Sequence, residues 1–467
     1  KKGIVGDDTH GHIDDLARFV SENKLFVAYE RNKKDANYKI LKNNLRIVKK
    51  SNDLKNLRII KIPMPKAKYI ERMNRGEFNG TMCLSEPHAG SDVGAGLTTA
   101  EDAGDGTYRI KGTKSWISNG DTDLAENSIH AVLARIKGAP EGTGGLSLFL
   151  IPHTLVEEDG KLGAWNDVTV ASIENKMGLH SSPTAVLKFG ENDHCRGWLL
   201  GEENRGMSCM FQMMNEARLF VGLQGLAGAG AACHNAVSYA NERLQGPSPI
   251  NPGEKAKIVE HPDVRRMLMQ MRSVTEGLRA MMYSVAWYTD MAHHGPQETR
   301  EYSQDLVDLH IPVCKAFGTD QGFEVACTGI QVLGGVGFTR DFPLEQNARD
   351  QKIGSIYEGT NGIQAMDLVG RKFGVKQGAL IDNLVKELNW FESNPPEDLL
   401  VDWVREWEGY RKLMFESISN LKRIGEHSGQ SAYLLYAVNM LQLMGDVLCS
   451  FYLLKQAQVA KLKLNKI

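Results

Sequence analysis

No Cys-x-x-Cys pair occurs anywhere in this chain. Its seven cysteines, at 83, 195, 209, 233, 314, 327 and 449, are scattered, and an odd number cannot all pair within one chain. Reduced thiols in a cytoplasmic compartment are the expectation. An excess of either charge is also missing: 55 Lys and Arg against 57 Asp and Glu give a formal net charge of -2. That balance gives no support for binding of nucleic acid or of a membrane by the whole chain. The 13 histidines are dispersed, and His293-His294 is not by itself a ligand spacing, so no metal is expected. Nothing reads as a signal peptide, and no apolar run reads as long enough to span a bilayer. Internal repeats and low-complexity tracts are absent.

What is present is length and ordinary apolar content, 467 residues at 42% hydrophobic, enough for large cores and roughly two to four domains. Residues 1–79 read as an N-terminal helical region, with a short amphipathic helix candidate at 13–20. The Lys/Arg-rich stretch from 31 to 75 is best read as a solvated helical face. Residues 80–203 read as a β-domain, a barrel or sandwich, from alternating or apolar runs at 107–118, 131–136, 146–151 and 184–189 joined by glycine-rich turns. Residues 204–375 turn to helical spacing. Long helices are expected up to about 243, over about 261–294 and 304–333, and from 360 toward 373, as a four-helix bundle. After Asn394-Pro395-Pro396, residues up to 467 read as a separate small helical domain; the whole extension is taken as 376–467.

Four strings carry candidate chemistry. Ile356-Tyr357-Glu358-Gly359-Thr360-Asn361-Gly362 places a carboxylate at the mouth of a helix. There it can serve as a general base for a weakly acidic C–H, with a backbone N–H beside it to stabilise developing charge. Taken alone, a helix-capping acid is the plainer reading. Met82-Cys83-Leu84-Ser85-Glu86-Pro87-His88-Ala89-Gly90-Ser91-Asp92 offers hydroxyls and backbone N–H groups, or an ordinary polar turn. Trp116-Ile117-Ser118 offers an indole to cover a flat cofactor, or a core tryptophan. Gly334-Gly335-Val336-Gly337 at a helix end allows close backbone approach. It is not G-x-G-x-x-G after a strand, so a Rossmann reading fails.

In this order and spacing, these strings, with Gly201-Glu202-Glu203-Asn204-Arg205-Gly206-Met207, resemble the acyl-CoA dehydrogenase family from about Lys66 to Phe373. The resemblance implies an α+β fold of three parts: a helical N-terminal domain (here partial), a middle β-barrel and a four-helix bundle. It implies FAD, contacted by Met82, Leu84, Ser85, Ser91, Trp116 and Ser118. Arg243, Gln331 and Gly335 would meet the adenine dinucleotide across a homodimer or homotetramer contact, and Thr360 would meet a phosphate. It implies an acyl-CoA substrate near Ser91, Met214, Asn215, Arg218, Tyr357 and Gly359. Glu358 would take the α-proton while the β-hydride leaves to flavin N5, giving a trans-2-enoyl-CoA. An electron-transferring flavoprotein would then remove the electrons. Some members carry the base before an arginine on the first bundle helix; here that position is Ala217, before Arg218. The insertion at 247–255 and the C-terminal extension resemble the branch that contains 3-methylmercaptopropionyl-CoA dehydrogenase. The competing readings are an acyl-CoA oxidase and a non-dehydrogenase flavin-binding relative that binds DNA.

Overall fold

The computed structural model describes residues 67–157 and 159–464, together with 17–21, 24–29, 39, 41–43, 45–46 and 58–63. The chain divides into two compact units. The first comprises 1–176 with 180–213, the second 177–179 with 214–467.

The first unit opens on strands. β1 (Ala17–Ser21) pairs antiparallel with β2 (Lys24–Tyr29), and β2 pairs parallel with β3 (Arg58–Pro63). A parallel pair needs a crossover, and the helical residues between 39 and 46 lie within that connection. The helix expected at 13–20 is therefore corrected: 17–20 are strand, and 13–16 lie outside the described residues. Ladder pairing of Phe19 with Leu25 overrides a window too short to distinguish a helical from a strand period. Most of the basic stretch at 31–75 also lies outside the described residues.

After α1 (Ala67–Asn74) comes the β-domain. Its strands are β4 (Phe78–Cys83), β5 (Thr99–Asp102), β6 (Tyr108–Ser118), β7 (Asn127–Ile136) and β8 (Leu146–Pro152). They continue with β9 (Thr154–Val156), β10 (Leu162–Trp165), β11 (Val168–Ile173), β12 (Thr184–Phe189) and β13 (Arg196–Leu200). β5 pairs β6, β6 pairs β13, β13 pairs β8, β8 pairs β7, and β7 pairs β5, so five strands close a ring. β4 joins β7 on one side, and β12 then β11 extend β6 on the other. Ala100, Ile110, Val132, Phe149 and Ile151 form part of the core. All of β8 is buried, which is why it reads as an unbroken apolar run rather than an alternating one. Full burial of a side chain such as Phe149 stabilises by about 1.5–3 kcal/mol.

The second unit takes most of α2 (Gly206–Glu242), then α3 (Pro262–His294), α4 (Gln297–Leu333), α5 (Leu344–Lys352) and α6 (Asn361–Gly370). It continues with α7 (Ala379–Leu388), α8 (Val401–Ser428) and α9 (Ala437–Leu464). The insertion forms a hairpin of β14 (Leu244–Pro247) and β15 (Lys255–Lys257). α4 begins two turns earlier than its periodicity suggests. Its first turns, Gln297 to Tyr302, are polar and exposed or half-buried, so no apolar periodicity marks its start. α2 and α4 meet backbone to backbone: a methyl at Gly222 would lie 2.5 Å from the Cys314 carbonyl oxygen, and one at Gly225 2.3 Å from that of Gly318. Glycine is the residue that permits this contact.

Two expectations about the C-terminal half change. α6 has ten residues, and the long helix packed on α3, α4 and α6 is α9, from the extension. The extension is also not a separate domain. One core runs from Leu226 and Leu278 through Phe317 and Leu368 to Trp407, Met444 and Phe451. Buried polar ties reinforce it. Asp305 on α4 accepts from Lys376 at 2.7 Å and Asn383 at 3.0 Å, and Glu387 on α7 accepts from Tyr302 and Lys455 at 3.0 Å. Helical periodicity shows that a face is apolar, not which surface covers it. Among the described residues one helix, Ala437–Lys463, is long and apolar enough to cross a membrane, contrary to the sequence reading. Its Met440, Leu441, Met444, Val447 and Phe451 lie in this core.

Candidate active site

In the first unit, two of the candidate strings lie side by side. The Ser115 N–H donates to the Ser85 carbonyl at 3.0 Å, and Lys114 Nζ donates to the Leu84 carbonyl at 3.0 Å. Lys114 also donates to Glu86 Oε1 at 2.9 Å. The Glu86 carboxylate accepts from the backbone N–H groups of Leu97 at 2.7 Å and Thr98 at 3.0 Å. Both partners are buried. Burial acts to raise the Glu86 carboxyl, but the Lys114 ammonium and the Thr98 and Leu97 donors outweigh it, so Glu86 sits below its usual range. This ion pair fixes the turn carrying Leu84 and Ser85 against β6. Met82, Leu84 and Ser85 are half-buried, and Ser91 and Ser118 are exposed. Trp116 is 62% exposed and holds a left-handed φ of 65°. A large aromatic in a strained conformation and open to solvent is not a core tryptophan. With the Ser118 hydroxyl two residues on, the set fits a flat, polar-edged ring such as the isoalloxazine of FAD.

In the second unit, the chain makes a left-handed double step at Glu358 (φ 56°) and Gly359 (φ 84°) before α6. A non-glycine residue there costs about 1–2 kcal/mol and persists only where its surroundings hold it. The holder is Lys315 of α4, fully buried, whose Nζ donates to the Gly359 carbonyl at 2.7 Å and to Asn361 Oδ1 at 2.8 Å. Asn361 Nδ2 in turn donates to Asp320 Oδ1 at 2.8 Å, Thr319 Oγ1 at 3.0 Å and the Ala316 carbonyl at 3.1 Å. Gln364 Nε2 also donates to the Gly359 carbonyl, at 3.4 Å. Thr360 caps α6, its hydroxyl accepting from the Ile363 N–H at 3.2 Å. The capping role considered for Glu358 thus falls to Thr360, which leaves the Glu358 carboxylate for other work.

Glu358 is half-buried. Desolvation lifts its pKa above the usual carboxylate range, while the cations Arg218 and Lys315 pull the other way without cancelling it. Burial lowers Lys315 to about 8. Arg218 lies on α2, 7% exposed, and a methyl on Gly359 would lie 3.6 Å from its guanidinium. Met214 is buried one turn before Arg218, Asn215 is half-buried between them, and Glu216 is exposed on another face. The Tyr357 hydroxyl donates to Gln224 on α2. Glu358, Gly359, Tyr357, Thr360 and Arg218 are therefore brought together. Arg243, Gln331 and Gly335 lie exposed, with no bond to that loop. Lys315, Asn361, Gln364 and Glu86 were not assigned roles from sequence. The available signal was a lysine inside the apolar run Ile311-Pro312-Val313-Cys314-Lys315-Ala316-Phe317, since buried lysines need partners.

Gly359→Ala is expected to fold and to reduce bound flavin about 100-fold more slowly on addition of substrate. Its φ of 84° disfavours a side chain, and the new methyl would lie 2.6 Å from Gln364 Nε2. A displacement of about 1 Å at a catalytic group costs on the order of 100-fold. Anaerobic stopped-flow absorbance of the flavin is the measurement; an unchanged rate would show that the turn need not be this tight.

Comparison with known proteins supplies the family. Residues 81–191 match the model for the acyl-CoA dehydrogenase middle domain, and 204–372 match that for the acyl-CoA dehydrogenase C-terminal domain. A butyryl-CoA dehydrogenase of Syntrophomonas wolfei is 38% identical over 410 residues, 86% of this chain and 67% of that protein. The 3-methylmercaptopropionyl-CoA dehydrogenase of Ruegeria pomeroyi is 46% identical over 308 residues, 66% of this chain and 52% of that protein. An acyl-CoA dehydrogenase from Bacillus anthracis, solved with FAD, shares the fold at TM-score 0.67 and 23% identity, covering 85% of this chain and 65% of its own. The chain belongs to the acyl-CoA dehydrogenase family. Its members are FAD-dependent oxidoreductases, and the relatives it is similar to include the 3-methylmercaptopropionyl-CoA enzyme. Residues 1–83 match a different model, that of Porphyromonas-type peptidyl-arginine deiminase. With the strands at 17–63, this replaces the expectation that 1–79 form a partial helical domain of the family.

Proposed function

We propose that the chain catalyses α,β-dehydrogenation of an acyl-CoA thioester to a trans-2-enoyl-CoA, with Glu358 as the α-proton acceptor. FAD, when bound, supplies the acceptor for the β-hydrogen and its electron pair. The residues proposed to hold it are Met82, Leu84, Ser85, Ser91, Trp116 and Ser118, with Thr360 toward a phosphate. Arg243, Gln331 and Gly335 are proposed to serve a neighbouring protomer of a homodimer or tetramer. Met214, Asn215, Arg218, Tyr357 and Gly359 are proposed to border the acyl thioester, with Ser91 shared.

The observation that carries this reading is the Glu358 turn. A half-buried carboxylate with a raised pKa, held by a buried lysine in a backbone conformation it would not choose, suits a base matched to a weak carbon acid. The Glu358 carboxylate takes the α-proton, and burial favours the protonated acid that results. Arg218 and Lys315 keep enough of the carboxylate ionised beforehand. Electrons are proposed to pass to an electron-transferring flavoprotein.

The test is anaerobic titration of the FAD-loaded protein with straight-chain, branched and sulfur-containing acyl thioesters. Bleaching of the flavin by at least one, with enoyl-CoA formed in equal amount, is expected. No bleaching by any member would overturn the proposal, and fast reoxidation of the reduced protein by air would favour the oxidase reading.

A further inference from the structure

Lys315 is fully buried, 43 residues upstream of Glu358, and joins three things at once. It reaches the Gly359 carbonyl at 2.7 Å and Asn361 Oδ1 at 2.8 Å, and its charge acts on Glu358. The Gly359 carbonyl belongs to the peptide that leaves Gly359 and enters Thr360. Holding that oxygen fixes the rotation of the 359–360 peptide plane and thereby ψ of Gly359, the second residue of the left-handed step. Asn361 completes a frame, since it is tied to Ala316, Thr319 and Asp320 on the same helix as the lysine. Gln442 of α9 closes it from behind, donating to Asp320 Oδ2 at 3.3 Å. A structural lysine of this burial would be expected in an ion pair, yet its two hydrogen bonds go to a neutral carbonyl and a neutral amide.

We propose that Lys315 is a positioning residue for the reaction: it sets the left-handed Glu358–Gly359 turn that aims the carboxylate, and it holds a positive charge beside the base. This rests on Glu358 being the base.

The charged and titratable groups around Glu358 are few. Arg218 comes from α2, Lys315 from α4, and Tyr357 from its own turn. Asp320 acts on Lys315, while Asp367 of α6 and Arg371 just beyond its end act on Arg218. Removing Lys315 takes away one of the two cations that stabilise the Glu358 anion. The base must then lose its proton at a higher pH.

The experiment compares the FAD-loaded parent with Lys315→Met, which keeps the length without donors or charge, and Lys315→Arg, which keeps both. In Lys315→Met, the limiting rate of flavin reduction is expected to fall about 100-fold, as for other losses of alignment. Its acid limb is expected to move to higher pH, with FAD content and thioester dissociation constant within about threefold of the parent. The infrared band of the protonated Glu358 carboxyl, assigned by its loss in Glu358→Gln, is expected to titrate at higher pH as well. Lys315→Arg is expected to return limb and band toward the parent values. Parent-like rate, limb and band in Lys315→Met overturn the inference. Should Lys315→Met not fold, Asn361→Ala decides: it removes the second acceptor, and a rate within twofold of the parent overturns the inference. If Glu358→Gln still reduces its flavin, the base assignment fails and this inference with it. If Glu358→Gln is inert while Lys315→Met behaves as the parent, only the Lys315 reading fails.

Discussion

Glu358→Gln is expected to retain FAD and to bind acyl thioester, yet to lose substrate-driven flavin reduction by about 10,000-fold or more. A general base contributes about 100- to 10,000-fold, and no second carboxylate stands ready. The position where some family members carry the base is Ala217, and Glu216 faces away. The substitution preserves shape and removes only the ability to take a proton. The parent enzyme supplies a second signature. As the proposed base Glu358 would act ionised, and desolvation raises its pKa above the ordinary carboxylate value. The rate of flavin reduction therefore rises with pH through that elevated value and is already falling at a pH where an exposed glutamate would be fully charged. Stopped-flow reduction across a pH series tests both. Bleaching by Glu358→Gln at more than one hundredth of the parent rate would remove Glu358 from the role.

The second large effect lies in the first unit. Lys114→Met is expected to cost about 3–5 kcal/mol of stability, because it leaves Glu86 as a buried carboxylate without its cation. The loss should reach the flavin as well, since the same ammonium holds the Leu84 carbonyl and so the turn beside Trp116. Urea unfolding and the ratio of flavin to protein absorbance after purification measure the two consequences. Lys114→Met combined with Glu86→Gln should recover part of the stability, because the stranded charge is gone. The pH dependence follows in sign. Glu86 is held below its unfolded pKa, so its contribution is present above that value and is lost as pH falls through the folded one. A fully stable, flavin-replete Lys114→Met would show the pair to be dispensable.

Much of this was legible beforehand, and the failures have physical causes. The strands of the β-ring show in alternation and turn residues, which are local, although the ring closes through pairs as distant as Arg109 with Arg196. The helices α2 to α4 show in their three- and four-residue apolar steps. Glu358 was singled out by its neighbours Gly359 and Thr360 together with the family resemblance, since taken alone it read as a helix cap. Lys315 and Lys114 were not, because their roles depend on contacts 44 and 28 residues away in the chain. The extension read as separate because its helices carry apolar faces whose cover lies on α3, α4 and α6. The N-terminal segment misled through a short amphipathic window that pairs as strand.

The crossing of α2 over α4 has one more consequence. Because the two main chains touch at Gly222 and Gly225, the spacing between the guanidinium on one helix and the ammonium on the other is set by skeleton rather than by upholstery. On the proposed roles, side chains around Met214 can be exchanged to admit a different fuel without retuning the electrostatics of Glu358. A single added methyl at either crossing glycine would do the reverse, leaving every residue that meets the thioester unaltered while shifting the acidity on which turnover depends.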